Sequence, residues 1–166
     1  MIKSAIGLQI EGLTIRQNDL TILDHLSLHL EAGSLTGLIG PSGAGKTTLA
    51  KYLVEYFPQN EVTHIDGDDL RDIFKNKDYS ITGRRLNIQR AQYIAQFMHS
   101  KGHNVIVSLV SPYRDQREAF KFSTSVVEIY VHTTEDRGRN QFHVEEYEPP
   151  LENFIDIDTT IKNETD

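Results

Sequence analysis

The stretch Leu35-Thr36-Gly37-Leu38-Ile39-Gly40-Pro41-Ser42-Gly43-Ala44-Gly45-Lys46-Thr47-Thr48-Leu49 decides the fold. A short apolar run leads into a glycine-rich loop. A segment with helical spacing follows, with Leu49, Leu53, Tyr56 and Phe57 on one face and Pro58 just past its end. Residues 40–47 fit G-x-x-x-x-G-K-[ST] in the context that motif requires, after a buried strand and at the opening of a helix. Glycines let such a loop curl so that successive backbone N–H groups point inward, and the helix N-terminus adds partial positive charge. On this reading Gly40, Ser42, Gly43, Ala44, Gly45, Lys46, Thr47 and Thr48 grip a nucleoside triphosphate, ATP first. Lys46 reaches the β- and γ-phosphates and faces ligand and solvent, while the Thr47 hydroxyl ligates Mg²⁺.

Upstream, Leu8, Ile10, Leu13 and Ile15, then Ile22, Leu26, Leu28 and Leu30, alternate with polar residues. With breaks at Gln17-Asn18-Asp19 and Ala32-Gly33, they predict two strands before the buried third, Leu35 to Ile39. Downstream, Val62 to Ile65 reads as a short strand, and Asn104 to Val110 and Val126 to Val131 as strands buried on both faces. Ile88, Ala91, Ala95 and Met98 form a helical stripe between Thr82 and Lys101, opposed by Gln89, Gln92, Gln96 and His99 and ended by Gly102. The resulting order of strands and helices predicts an α/β fold with right-handed crossovers: a three-layer P-loop NTPase sandwich with a mainly parallel sheet and an N-terminal β-hairpin extension. One domain is expected over residues 1–166, with a β extension at 1–33, a core at 34–160 and a tail at 161–166.

Composition narrows the chemistry. Without cysteine there is no disulfide, thiolate metal site or cysteine nucleophile. Seventeen basic against 24 acidic residues, a net charge of −7, argue against a general nucleic-acid binder. No apolar run spans a membrane and the N-terminus lacks a signal pattern, so cytoplasmic residence is the expectation. Arg71, Arg84, Arg85, Arg90, Arg114, Arg117, Arg137 and Arg139 all fall beyond residue 70 and as a set suit a small polyanion. His64 and His103 read as packed or exposed residues, since no pair of histidines has ligand spacing.

Asp66-Gly67-Asp68-Asp69-Leu70-Arg71 follows the strand ending at Ile65, which puts its carboxylates at the carboxyl edge of the sheet beside the phosphates. One of these acids can orient or deprotonate an attacking hydroxyl, and Arg71 can hold an anion. Another can simply cap the helix that begins there.

Two resemblances follow from the quoted residues. Thr21 to Leu28 and Gly37 to Leu49 resemble the start of an ABC-type ATPase, but the L-S-G-G-Q signature and the acidic end of that family's Walker B strand are absent, so the likeness stops at residue 49. From Gly40 to Thr159 the chain resembles the adenylylsulfate kinase family. The matching segments are Asp66-Gly67-Asp68-x-x-Arg71, Tyr79-Ser80-x-x-x-Arg84-x-x-Asn87-Ile88-x-Arg90, Val110-Ser111-Pro112-Tyr113-Arg114-x-x-Arg117, Tyr147-Glu148-Pro149-Pro150 and Ile157-Asp158-Thr159. The resemblance implies transfer of the ATP γ-phosphate to the 3′-hydroxyl of adenosine 5′-phosphosulfate, the activation step of sulfate assimilation. It implies Mg²⁺, small-molecule nucleotides as partners and a homodimer.

Residue by residue, it implies Asp68 as base, with Lys46 as the other catalytic residue, and Asp66, Arg71, Arg84 and Asn87 around the acceptor. Ser111, Pro112 and Tyr113 would line the acceptor pocket, Tyr79 and Phe142 would clamp its base, and Arg137 would stand near the ATP base. Tyr79 alone reads equally well as core packing. Gly83 stands where the family usually has Asp, Gln89 where it has Arg, and only residues 138–146 separate Arg137 from Tyr147, a contracted lid containing His143, Glu145 and Glu146. Acceptor choice would change at that lid. The alternatives are therefore a kinase for another nucleotide-type acceptor, or a nucleotide-binding regulatory module without transfer.

Overall fold

Apolar alternation and apolar continuity produce two kinds of strand here. The computed structural model describes residues 6–17, 19–138, 144 and 146–161. The alternating segments form an antiparallel hairpin, β1 (Leu8–Gln17) with β2 (Leu20–Leu30), whose register shifts between Ile10 and Leu13 and again on either side of Ile15. The continuous ones, β3 (Leu35–Ile39), β5 (Asn104–Leu109) and β6 (Val126–His132), form the centre of a separate five-stranded sheet, all parallel, completed by the more polar β4 (Val62–Asp66) and β7 (Ile155–Asp158) in the order β4-β5-β3-β6-β7.

Among the described residues four helices connect them: α1 (Lys46–Tyr56), α2 (Gly67–Ile73), α3 (Ile81–Ser100) and α4 (Arg114–Ser123). Strand pleat divides the core into two layers. Leu38, Ile106, Ile129, Val131 and Ile157 face α1, where Leu49, Ala50, Leu53 and Phe57 join the hairpin's Leu8, Ile10, Ile15, Leu23, Leu26, Leu28 and Leu30 in one cluster. Leu35, Val105, Val107 and Leu109 face the other way, against Ile88, Ala91 and Ala95 of α3 and Leu70 of α2. The hairpin thus shares the core of the sheet instead of standing off it.

The loops at the amino edge are fastened by one buried side chain. Asn104 accepts from the Gly33 N–H and donates to the carbonyls of Ile6 and Glu61, at 2.8, 2.9 and 2.8 Å. The polar stripe expected on α3 does not face water throughout. Gln92 and Gln96 donate to Gln116 O and Thr124 Oγ1 beside α4, and His99 Nδ1 lies 2.8 Å from Gly33 O. Tyr93 and Phe97 take the solvent face, 63% and 64% exposed. The element missing from the sequence reading is β7: four residues, Ile-Asp-Ile-Asp, give too short an alternation, and only pairing with β6 makes them a strand.

Candidate functional site

Because all five strands are parallel, their carboxyl ends meet on one edge, and β3 carries the glycine-rich loop there between its neighbours β5 and β6. Crevices at this edge are where open α/β sheets take ligands. A cleft of about 780 Å³ opens along it, lined at the loop by Ser42, Gly43, Gly45, Lys46, Thr47 and Thr48. Gly40 and Ala44 serve the loop's shape instead. A Cβ at Gly40 (φ +148°) would run into the Val131 carbonyl, and Ala44 is fully buried with its carbonyl accepting from Thr159 Oγ1 at 2.6 Å.

Lys46 differs from expectation. Its side chain is buried, 8% exposed, and donates to Pro41 O at 2.7 Å, because the curled loop wraps the amine as well as any phosphate.

Asp66 closes the loop from β4. Its Oδ2 accepts from Thr47 Oγ1 (2.7 Å) and Ser108 Oγ (2.8 Å), and its Oδ1 accepts from the Asp68 N–H (2.9 Å), so it is the acid that caps α2. Burial opposes its charge. The hydrogen bonds from Thr47, Asp68 and Ser108 and the nearby His64 outweigh that and hold the carboxyl below its ordinary range. Asp66 was expected among the acceptor contacts; it lies against Thr47, on the phosphate side. Ser108 gives its one proton to Asp66, so it accepts from His64 Nε2 at 2.7 Å. Burial keeps His64 below the usual imidazole range against the pull of Asp66 and Asp69. The signal for Ser108 was a lone hydroxyl inside an apolar strand.

Beyond the loop the cleft is lined by Asp68, Arg71, Tyr79, Arg84, Asn87, Ile88, Ser111 and Pro112. Asp68 is exposed on the first turn of α2. Asn87 is buried, its amide donating to Gly67 O at 3.1 Å, and its Oδ1 has no hydrogen-bond partner among the described residues. Arg71 donates to Asn76 O and Asp78 O, and Arg84 Nε to Tyr79 O, so both cations also hold the loop between α2 and α3. Tyr79 is not core. It is 43% exposed, with Arg71 4.2 Å and Arg84 5.6 Å from its ring centre.

A Cβ at Gly83 would collide with the backbone and side chain of Asp78. A carboxylate-bearing side chain from position 78 thus occupies the space beside position 83. Tyr113 does not line the cleft; its ring lies under Arg85, 4.3 Å away. Phe142, His143 and Glu145 lie outside the described residues.

The arginines separate by role. Arg71, Arg84 and Arg137 line the cleft. Arg117 is buried and donates to the carbonyls of Ser111 and Glu148, pinning the Ser111 turn (φ +43°) to the segment before Pro149. Arg85 pairs with Asp115 through two 3.0 Å bonds, Arg114 holds Pro149 O, and Arg90 lies over Phe74. Arg139 falls outside the described residues. The cleft is also lined by Ile22, Glu135, Asp136, Arg137 and Ile161, of which only Arg137 was expected.

A family profile described as adenylylsulphate kinase matches residues 33–158. The adenylyl-sulfate kinase of Buchnera aphidicola subsp. Acyrthosiphon pisum (strain APS) is 37% identical over 82 residues, which are 48% of this chain and 40% of that protein. The chain therefore matches less than half the length of that curated relative. Among solved structures, the Mycobacterium tuberculosis APS kinase CysC in complex with AMPPNP and APS superposes with a TM-score of 0.62 at 19% identity, covering 75% of this chain and 88% of that one. A hexameric APS kinase from Thiobacillus denitrificans gives 0.59 at 25% identity, over 75% of this chain and 25% of that one.

Proposed function

Since the chain belongs to the adenylylsulphate kinase family, we propose that it transfers the γ-phosphate of ATP to the 3′-hydroxyl of adenosine 5′-phosphosulfate. The observation that carries this is a cleft lined both by the phosphate loop and by Asp68, Arg84, Asn87 and the Ser111–Pro112 turn. A pure ATP binder has no use for the second half. A relative that shares the sequence pattern is an adenylyl-sulfate kinase, and an APS kinase that shares the fold was solved in complex with AMPPNP and APS.

The roles follow from placement. Backbone N–H groups of residues 42–47 and Lys46 hold the β- and γ-phosphates. The Thr47 hydroxyl and the Asp66 carboxylate, 2.7 Å apart, are hard oxygen groups of the kind that fit Mg²⁺, and these two residues would hold it. Bound there, the ion would neutralise charge on the phosphates.

Asp66 has both oxygens committed to Thr47, Ser108 and the helix cap, whereas Asp68 stands exposed in the cleft. Asp68 therefore orients the acceptor hydroxyl and takes its proton late, as a new P–O bond forms and the bond from the γ-phosphorus to the β-bridging oxygen breaks. Arg71 and Arg84 neutralise the phosphosulfate, and Asn87 Oδ1 accepts from the acceptor's sugar or base. Self-association belongs to the same proposal, with the exposed Tyr93 and Phe97 on α3 as the apolar surface to cover and sedimentation as the check.

The test is ADP release with Mg-ATP and a panel of acceptors that includes adenosine 5′-phosphosulfate, other adenine nucleotides and none. Release that depends on the phosphosulfate supports the reading. Release with a different nucleotide moves the acceptor, and equal slow release throughout removes the transferase assignment.

A further inference from the structure

The hairpin lies outside the stretch that matches the kinase family, yet one of its residues lines the cleft. Ile22 of β2 lines the same cleft as Gly43, Gly45, Glu135, Asp136, Arg137 and Ile161. It is half-buried and is followed by the buried Leu23, which pairs with Ile15 in the core shared with α1. Ile22 is therefore held by packing on its own strand and is not a mobile tip.

The groups around Arg137 are fixed just as closely. Glu135 accepts from Arg137 through Oε2 (3.2 and 3.0 Å) and from the Ile161 N–H through Oε1 (3.2 Å). Arg137 also donates to Gly43 O at 3.3 Å and Thr159 O at 2.6 Å. With its edge N–H groups committed in the plane, that guanidinium has its faces left for contact, and such faces stack on aromatic rings.

We propose that the N-terminal hairpin is part of the donor nucleotide site, with Ile22 an apolar wall for the nucleobase beside Ile161 and the Arg137 guanidinium. The inference rests on the donor reading of the phosphate loop. When phosphates occupy residues 42–48, the end of the cleft nearest them on the β6 and β7 side is what remains for the nucleoside, since the opposite end holds Asp68, Arg84 and Asn87. An isoleucine recognises a base by contact area and cannot read its hydrogen-bonding edge, so Ile22 strengthens ATP and GTP alike. Anchoring this wall in the hairpin also ties nucleotide affinity to a segment the family match does not include.

The test is calorimetric titration of the full chain with Mg-AMPPNP, Mg-GMPPNP and Mg-tripolyphosphate, for the native protein, Ile22→Ser and Ile22→Val. Loss of a partly buried isoleucine contact weakens binding about 3–10-fold. Ile22→Ser is expected to show that loss for both nucleotides and none for tripolyphosphate, with Ile22→Val close to native. An equal loss for tripolyphosphate, or no loss at all, overturns the hairpin's role while the donor site stands. If the native protein binds none of the three, the donor reading falls and the inference falls with it.

Discussion

The two halves of the cleft are built by different means. On the donor side the groups are bonded to one another around the buried Lys46, Asp66, Ser108 and Thr159: Lys46 to Pro41 O, Asp66 to Thr47 and Ser108, Arg137 to Glu135 and Thr159. On the acceptor side the corresponding groups are side chains on α2, α3 and the loop between them, with Asp68 and Tyr79 exposed and the Asn87 Oδ1 unpartnered among the described residues. A phosphate chain is the same in every nucleotide and repays a rigid backbone cradle. An acceptor must enter and be told from its competitors, and that suits long side chains over a loop.

Substitutions can break that contrast, and the largest effect is expected at Asp68. Asp68→Asn should lower kcat by about 10²–10⁴-fold with Mg-ATP affinity nearly unchanged. If Asp68→Asn turns over normally while Asp66→Asn is dead, the base is Asp66, and the division of labour between the two acids is the reverse of the one proposed. Next comes Lys46→Ala, with kcat down roughly 10²–10³-fold, the usual cost of removing one preorganised donor to transition-state charge. Because Lys46 is buried, this variant should also lose some thermal stability, and a melting curve beside the kinetics separates the two losses.

Arg84→Ala tests the acceptor side. A charge-assisted hydrogen bond is worth about 1.5–3 kcal/mol, so the acceptor KM should rise roughly 10–100-fold while the ATP KM stays put. Equal rises in both would mean that Arg84 serves the fold, through its bond to Tyr79 O, more than it serves the substrate.

Gly83→Ala should destabilise the fold by about 1–3 kcal/mol, read as a lower urea midpoint, since its Cβ has nowhere to go beside Asp78. An unchanged midpoint would mean that Asp78 moves aside easily and that the loop is less fixed than its hydrogen bonds to Arg71 and Ser80 imply.

The smallest effect is a pH dependence. Burial holds the folded pKa of His64 below its ordinary 6.5, so the unfolded chain binds the proton first as pH drops. The contribution of His64 to stability is then complete above about 6.5 and is lost as pH falls from there through the folded value. Melting temperatures of the native protein and His64→Gln, compared between neutral and mildly acidic pH, should diverge in that window. Parallel curves would remove His64 from the donor network.

The sequence by itself determined the parallel α/β core, the position of the phosphate loop and most of the cleft, because a G-x-x-x-x-G-K-[ST] motif between a buried strand and a helix allows little else. It also put carboxylates at the carboxyl end of β4, since a strand that ends in acids places them at the sheet edge. Only the tertiary structure showed how differently the two carboxylates are surrounded. Asp66 and Asp68 look equivalent in a string, and they separate when Ser108 on β5 and Thr47 on α1 converge on Asp66 while α2 turns Asp68 outward. The same holds for Glu135, Ile161 and Ile22, three residues on different elements with no local pattern to mark them. Periodicity and motifs report interactions between near neighbours in the chain. That part of the lining comes from a hairpin, a loop after β6 and the exit of β7, and contacts across that many residues exist only once the core has brought those elements together.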